Sequence, residues 1–398
     1  MRAASRFVAI SASVLLPLSL ALAPAGATRS SSFVPISGSG SSFAAIAMNL
    51  WALDVRPRGL VVNFNPDGSD AGRADYIVNQ DDYAVSDEPF RTSLDKLAGL
   101  GPEHVPLGFS YIPAPASGVA FLYHLTVGGH PVTNLRLSSS TVMKIFTGQI
   151  MNWDDPQITH DYGSQLPNLP ITPVIHSDLA GSTLYFSSWL AAVFPGQWNA
   201  FCERVHPGLK PPCGPTVVYP RFGHAKAEDG SSNVASYISS ASNGAIGYDE
   251  VPYALAAHIP ELKLGNAAGD FVSPTAANIK ASLRHANIDE NPHSPRFMQV
   301  DLTPLYTSKA RANYPLSFTS YVIVPRLGTR LPTNFTRAKG RSLSTYLVLA
   351  LCSGQQQMDQ LHYAPLPVNL VQGGLLQVAN IPGHIAAQCP KADGSQRP

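Results

Sequence analysis

Short runs of apolar and β-branched residues alternate along this chain with longer stretches in which apolar positions recur every three or four residues. Val61-Val62-Asn63-Phe64 reads as a strand, and so do Ala120 to Leu125, Ile171 to Ile175, Ala245 to Tyr248 and Tyr321 to Val324. Phe43 to Asp54 carries apolar residues at 43, 46, 47, 50 and 51, a helical spacing. Thr141 to Phe146, Thr183 to Phe194 and Arg341 to Leu351 read the same way. Strands alternating with helices predict an α/β protein, whose sheets bind ligands beyond the carboxyl ends of their strands. No internal repeat interrupts this order.

The first 27 residues stand outside that pattern. Arg2 and Arg6 form a basic start, Phe7 to Ala23 is almost wholly apolar, and Ala25-Gly26-Ala27 supplies a small-x-small cleavage site. This predicts a secretory signal peptide, with Pro17 and Pro24 arguing against a membrane-spanning anchor. No cysteine lies near the cleavage point, so no lipid anchor is predicted and the expected location is the periplasm, the cell envelope or the exterior. Thr28 to Phe33 and the polar tail 389–398 are expected to be flexible.

Composition narrows the function. The 398 residues include 44% hydrophobic and only 13% charged residues, where about 25% charged is usual, so the chain is globular. Removing the leader subtracts two arginines from 27 basic residues, leaving 25 against 26 acids and a net charge of −1. Such a balance leaves no footprint for nucleic acid or an anionic membrane. The four cysteines, Cys202, Cys213, Cys352 and Cys389, suit two disulfides in an oxidising compartment. Three pairings are open, and closeness in sequence favours Cys202–Cys213 with Cys352–Cys389.

Candidate chemistry lies in four segments, each rich in Gly, Ser or Asp before a helix: Gly38 to Phe43, Gly68 to Gly72, Ala84 to Pro89, and Asp178 to Thr183. A helix N-terminus offers unpaired N–H donors and a partial positive charge, serine adds hydroxyl donors, and glycine admits close approach. One such segment is ordinarily a cap; four in one chain point to a small oxyanion site.

The order of these segments resembles the phosphate-binding proteins of phosphate ABC transporters. Gly38 to Phe43 resembles that family's G-x-G-x-[ST]-F loop, and Gly68 to Gly72 its G-S-x-x-G loop. Asp82-Tyr83-Ala84-Val85-Ser86-Asp87-Glu88-Pro89 resembles D-[FY]-x-x-S-D-x-P, and Asn243 to Tyr248 contains its G-A-I-G-Y strand. Further matches at Lys144 to Asp155, Val272 to Thr275, Tyr314 to Leu316 and Tyr363 to Pro367 carry the resemblance over nearly the whole chain beyond the leader.

The resemblance implies a two-lobed α/β binding protein with two crossovers, near Gly118 and Ser317. Lobe 1 would comprise residues 33–118 and 318–388, and lobe 2 residues 119–317. It implies inorganic phosphate as ligand, the permease and ATPase subunits of an importer as partners, a monomer, no cofactor, no metal and no catalysis. Ser42 and Phe43 would hold phosphate oxygens through N–H and hydroxyl groups, Ser69 would act as the second-loop donor, and Asp87 as the site carboxylate. An ionised carboxylate only accepts hydrogen bonds, so Asp87 would demand a ligand that still carries a proton, which phosphate does and sulfate at neutral pH does not.

The fourth segment departs from the family pattern R-x-D-x-S-G-T. His176 stands where the arginine is expected and Ala180 where a serine is; Asp178 and Gly181 are kept, and Ser182 keeps a hydroxyl. Arginine binds an oxyanion as a permanently charged fork, whereas histidine offers fewer donors and is cationic chiefly in acid. Arg73 is a candidate to compensate from the other lobe. A second function follows from the same changes: a secreted scavenger, sensor or surface protein with an altered site. No G-x-S-x-G, H-E-x-x-H or G-x-x-x-x-G-K-[ST] motif supports an enzyme.

Overall fold

The computed structural model describes residues 33–241, 243–291, 293–294 and 296–389; the leader at 1–27 and nearly all of both segments expected to be flexible lie outside them. The described chain is a two-lobed α/β fold on one eight-stranded sheet. In chain order its strands are β1 (Ile36–Gly40), β2 (Val62–Asn65), β3 (Tyr83–Ser86), β4 (Phe109–His124), β5 (Thr172–His176), β6 (Lys226–Glu228), β7 (Ala245–Glu250) and β8 (Ser317–Pro325). Their order across the sheet is β2-β1-β3-β8-β4-β7-β5-β6.

The pairing divides naturally. β1 runs parallel to β2 and β3 at one end, and β5 runs parallel to β6 and β7 at the other. Between them β8 and β4 are antiparallel to their neighbours. β4 is the strand both lobes share: Phe109 to Gly118 pairs with β8, and Val119 to His124 pairs with β7. Pairing with β8 ends where Ser317 faces Gly118. The expected strand Ala120 to Leu125 is therefore only the second part of a much longer one. Its first part holds Pro113, Pro115 and Gly118, residues that weaken any strand pattern.

Helices cover both faces and bury apolar stripes against the sheet. In the first lobe α1 (Ala45–Val55) buries Ala47, Met48, Trp51 and Val55, and α2 (Ser69–Ile77) buries Tyr76. In the second, α3 (Gly181–Val193) and α4 (Ser231–Ser240) flank β7 and β5. Phe186 of α3 packs on Phe121, Phe146 and Tyr248 with ring centroids 5.2, 5.2 and 4.9 Å apart. That cluster fixes the start of α3, because aromatic groups of this size bury much area in a defined geometry. α5 (Arg337–Leu351) returns to the first lobe, where the Tyr346 hydroxyl donates to the Met48 carbonyl (2.8 Å). Among the described residues no helix is long and apolar enough to cross a membrane.

Both disulfides pair as proximity in the chain favoured: Cys202 with Cys213, and Cys352 with Cys389. The second ties the segment after the last helix, Val368–Val378, to the end of α5. Closing loops with sequence separations of 11 and 37 residues stabilises the fold by restricting the unfolded chain; the expected contribution is about 3 and 4 kcal/mol respectively. Thiol titration of the denatured, unreduced protein should find no free thiol, and Cys352→Ser with Cys389→Ser should lower unfolding free energy by about 4 kcal/mol in denaturant titration. Free thiols, or an unchanged midpoint, would contradict this pairing.

Candidate functional site

Every sequence-derived candidate lies at the carboxyl end of a parallel strand, in the loop that follows it, or in the first turn of the next helix. In the first lobe the centre is Asp87, just beyond β3. No helix follows Pro89, so Asp87 caps nothing. Its Oδ1 accepts from Ser41 Oγ (2.6 Å) and Ser320 Oγ (2.7 Å), and its Oδ2 accepts from Ser69 Oγ (3.2 Å). The Asp87 N–H donates back to Ser69 Oγ (3.0 Å).

Three local features deliver these hydroxyls. β1 ends at Gly40, whose φ of +133° and closeness to the Val85 carbonyl exclude a side chain, and the turn presents Ser41. Ser41 also accepts from the Ala44 N–H (3.1 Å), so it anchors the start of α1 as well as Asp87. Ser69 is the first residue of α2, held near the loop because Gly72 lets the helix touch Ser39 and Gly40. Ser320 reaches Asp87 through a register shift between Thr319 and Tyr321 in β8, a bulge that re-aims one side chain.

Ser42 is exposed, so its neighbour Ser41 supplies the hydroxyl bound to Asp87. Phe43 is a core residue, its ring 5.3 Å from Phe318 and 5.1 Å from Tyr363. The backbone N–H groups of both have no acceptor among the described residues. Arg73 takes no part: it is fully buried, with Nη1 2.8 Å from Glu88, Nε 3.0 Å from Glu103, and Asp70 on Nη2. A guanidinium held by three carboxylates cannot compensate for an arginine missing from the other lobe.

In the second lobe β5 ends at His176, which is buried. Its Nδ1 lies 3.1 Å from Asp178 Oδ1, and its Nε2 lies 3.2 Å from Ser182 Oγ and 3.8 Å from Asp249 Oδ1. Asp178 Oδ1 accepts further from the Gly230 N–H (2.9 Å). Burial pushes the Asp178 carboxyl up, but His176 and these N–H contacts outweigh it and hold the group below its ordinary value. Ala180 is buried, with its N–H donated to Val217 O (3.1 Å).

Gly181, the first residue of α3, brings the lobes together. A Cβ there would stand 2.6 Å from Asp87 Cβ, so only glycine permits this approach. Tyr185, one turn further, donates its hydroxyl to the Asp87 carbonyl oxygen, and Tyr253 donates to the Ser42 carbonyl (3.3 Å). β7 ends in Asp249-Glu250, both buried, with Glu250 accepting from Ser231 Oγ at the start of α4 (2.6 Å).

Sequence reasoning missed Ser41, Ser320, Tyr185, Asp249 and Glu250. The one legible signal was two adjacent acids directly after the G-A-I-G-Y strand. Among the described residues, no Lys or Arg makes an ion pair with Asp87, Asp249 or Glu250. Positive potential comes instead from helix N-termini, with α2 and α3 starting against Asp87 and α4 against Glu250.

Burial, with Glu250 nearby, pushes the Asp87 carboxyl up to about 6 despite its three serines, and it lifts Asp249 well above the ordinary range. Unfolded carboxyls ionise near 4, so between those pH values the folded chain holds more protons than the unfolded one. Stability of the ligand-free protein should therefore rise as pH falls from 8 to 5, by roughly 1.5 kcal/mol for Asp87 alone. Thermal midpoints over that range check this; Asp87→Asn should flatten the part between pH 7 and 5, and a midpoint that falls with acid would contradict it.

Residues 23–348 match the family model described as a PBP superfamily domain. A protein from Xylella fastidiosa named phosphate-binding protein PstS is 29% identical over 343 residues, covering 85% of this chain and 83% of that protein. One of the same name from Pasteurella multocida is 28% identical over 339 residues, covering 85% and 88%. Among solved structures, a periplasmic phosphate-binding protein described as PfluDING bound with phosphate superposes with a TM-score of 0.61. It shares 17% identity, over 92% of this chain and 100% of that one. A phosphate ABC transporter substrate-binding protein from Clostridium perfringens gives 0.51 at 18% identity, over 84% and 100%. With most of its length inside that family model and the same two-lobed architecture, the chain belongs to the PBP superfamily.

Proposed function

We propose that the protein is an exported receptor that binds inorganic phosphate between its lobes and passes it to the permease and ATPase subunits of an ABC importer. The observation that carries this reading is the Asp87 carboxylate, an acceptor set where the N-termini of α2 and α3 meet. Helix N-termini favour an anion, and a buried carboxylate beside it favours an anion bearing a proton. The relatives named phosphate-binding protein PstS support the same ligand.

In this reading the free N–H groups of Ser42 and Phe43, with Ser69 and Asp87, hold phosphate from the first lobe. Gly181, Ser182 and His176, steadied by Asp178, hold it from the second. The hinge lies at Gly118 and Ser317, where β4 changes partners; that exchange supports lobes of 33–118 with 318–388, and 119–317. The receptor acts by closing on its ligand and needs no covalent step, no cofactor and no second copy of itself.

Isothermal titration of the ligand-stripped protein at pH 7.5 should show micromolar or tighter binding of phosphate and none of sulfate. Asp87→Asn should narrow the phosphate-to-sulfate ratio about ten- to hundredfold, the effect of exchanging a charged acceptor for an amide that also donates. An unchanged ratio would remove Asp87 from discrimination. Absence of phosphate binding would overturn the function and turn attention to a scavenging or sensing protein for another oxyanion.

A further inference from the structure

We propose that the site takes up a proton together with its oxyanion, at the imidazole of His176. The proposal rests on the phosphate reading and names how this particular site, lacking the family's arginine, finds its missing donors.

The hydrogen-bond inventory around His176 carries the argument. Asp178 Oδ1, 3.1 Å from Nδ1, is a carboxylate oxygen and can only accept, so Nδ1 bears a hydrogen. In the neutral ring Nε2 is then an acceptor, and its partner at 3.2 Å is the Ser182 hydroxyl. Neutral His176 thus has no donor left for a ligand: its one hydrogen is spent on Asp178, and that of Ser182 is spent on the ring. One proton added to Nε2 reverses both relations. Nε2–H becomes a donor, and Ser182 is freed to turn its own hydrogen toward an oxyanion beside the Gly181 and Ser182 N–H groups. A single proton from solvent yields two donors.

Several groups face the ring. Asp178 faces the ring from its own loop, Ser182 from α3, and the Tyr248 ring from β7, 5.4 Å away between centroids. Glu228 of β6 is its strand neighbour in register. Asp249, wholly buried on β7, places Oδ1 3.8 Å from Nε2, and its Oδ2 has no hydrogen-bond partner among the described residues. A cationic ring would stand between two carboxyl groups, and Glu250 lies next along the same strand end. Arg73 is committed to Asp70, Glu88 and Glu103. Beside the helix N-termini, a cationic side chain facing the oxyanion from the second lobe would therefore arise by protonation of His176, while Asp87 in the opposite lobe accepts the hydrogen bond from the proton that phosphate brings.

Calorimetry tests this directly. Phosphate is titrated into the protein at pH 8 in two buffers of different ionisation enthalpy, and the affinity is followed from pH 6.5 to 8.5. About one proton should be taken up per phosphate at pH 8, where phosphate itself is largely dibasic, and Kd should weaken about tenfold per pH unit at the upper end. His176→Arg supplies donors that do not titrate, so it should keep binding, lose the proton uptake and flatten the profile. Should that variant not fold, as judged by circular dichroism, His176→Gln should show the same loss of uptake at weaker affinity. Wild-type binding without net uptake, or uptake that survives both substitutions, would overturn the proposal. If neither wild type nor His176→Arg binds phosphate at any of these pH values, the phosphate reading itself fails, a different outcome that removes this inference with it.

Discussion

A buried carboxylate with no cation beside it sets the terms for the rest of this molecule. Asp87 sits beyond β3 among three serine hydroxyls, within contact of the second lobe at Gly181. Removing a charge from water without compensation is costly, and here no Lys or Arg among the described residues pairs with it. Hydroxyl donors and helix N-termini provide the compensation, and both demand position. Gly40, Gly72 and the bulge at Ser320 are the backbone devices that supply it. Each is a concession in local regularity made at a strand end, where a parallel sheet already gathers its loops.

The neighbouring cluster around Arg73 solves the opposite problem. A fully buried guanidinium meets Asp70, Glu88 and Glu103, and donates to Ser86 Oγ at 2.8 Å. Asp70 and Arg73 belong to α2, Ser86 ends β3 and Glu88 follows it, so the network fastens the start of α2 to the strand end that carries Asp87. Breaking one partner would leave an unpaired buried charge, which makes the arrangement stiff whatever its net contribution to stability. Arg73 thus positions the two loops that hold Asp87 and does not face an anion itself. Adjacent in sequence, Asp87 and Glu88 point into unlike environments, one tuned by hydroxyls and one by an arginine.

The fold was legible where the chain follows simple periodicity, and obscure where packing overrides it. Helices starting at 45, 181 and 337 and strands at 62, 172 and 245 match the apolar pattern within a few residues. β1, with the sequence Ile-Ser-Gly-Ser-Gly, carries no strand signature; it is a strand because β2 and β3 close on both its edges and leave room only for small residues. β3 hides inside a motif that reads as a turn. The resemblance named Ser69, Asp87, His176, Asp178, Gly181 and Ser182, and the fold brings them close to one another because loops that follow parallel strands converge. Ser41 was displaced by one position, since which of two adjacent serines turns inward depends on the φ of Gly40 and not on residue type. Ser320 lay beyond reach, as a bulge in an antiparallel pair leaves no mark in a single chain.

The two lobes meet this ligand problem from different sides, and their differences interlock. The first lobe offers an acceptor whose own pKa is lifted by burial, so it functions as an acceptor only where solvent is less acidic than about pH 6. The second offers His176, which under the proposed proton uptake donates to the ligand only while it holds an extra proton. One group limits recognition from the acid side and the other from the alkaline side. With a permanently charged arginine in place of His176, only the acid limit would remain. Under that proposal the histidine at this one strand end changes more than affinity: it would convert a site open across neutral and alkaline pH into one with a working window, framed by Asp87 below and His176 above.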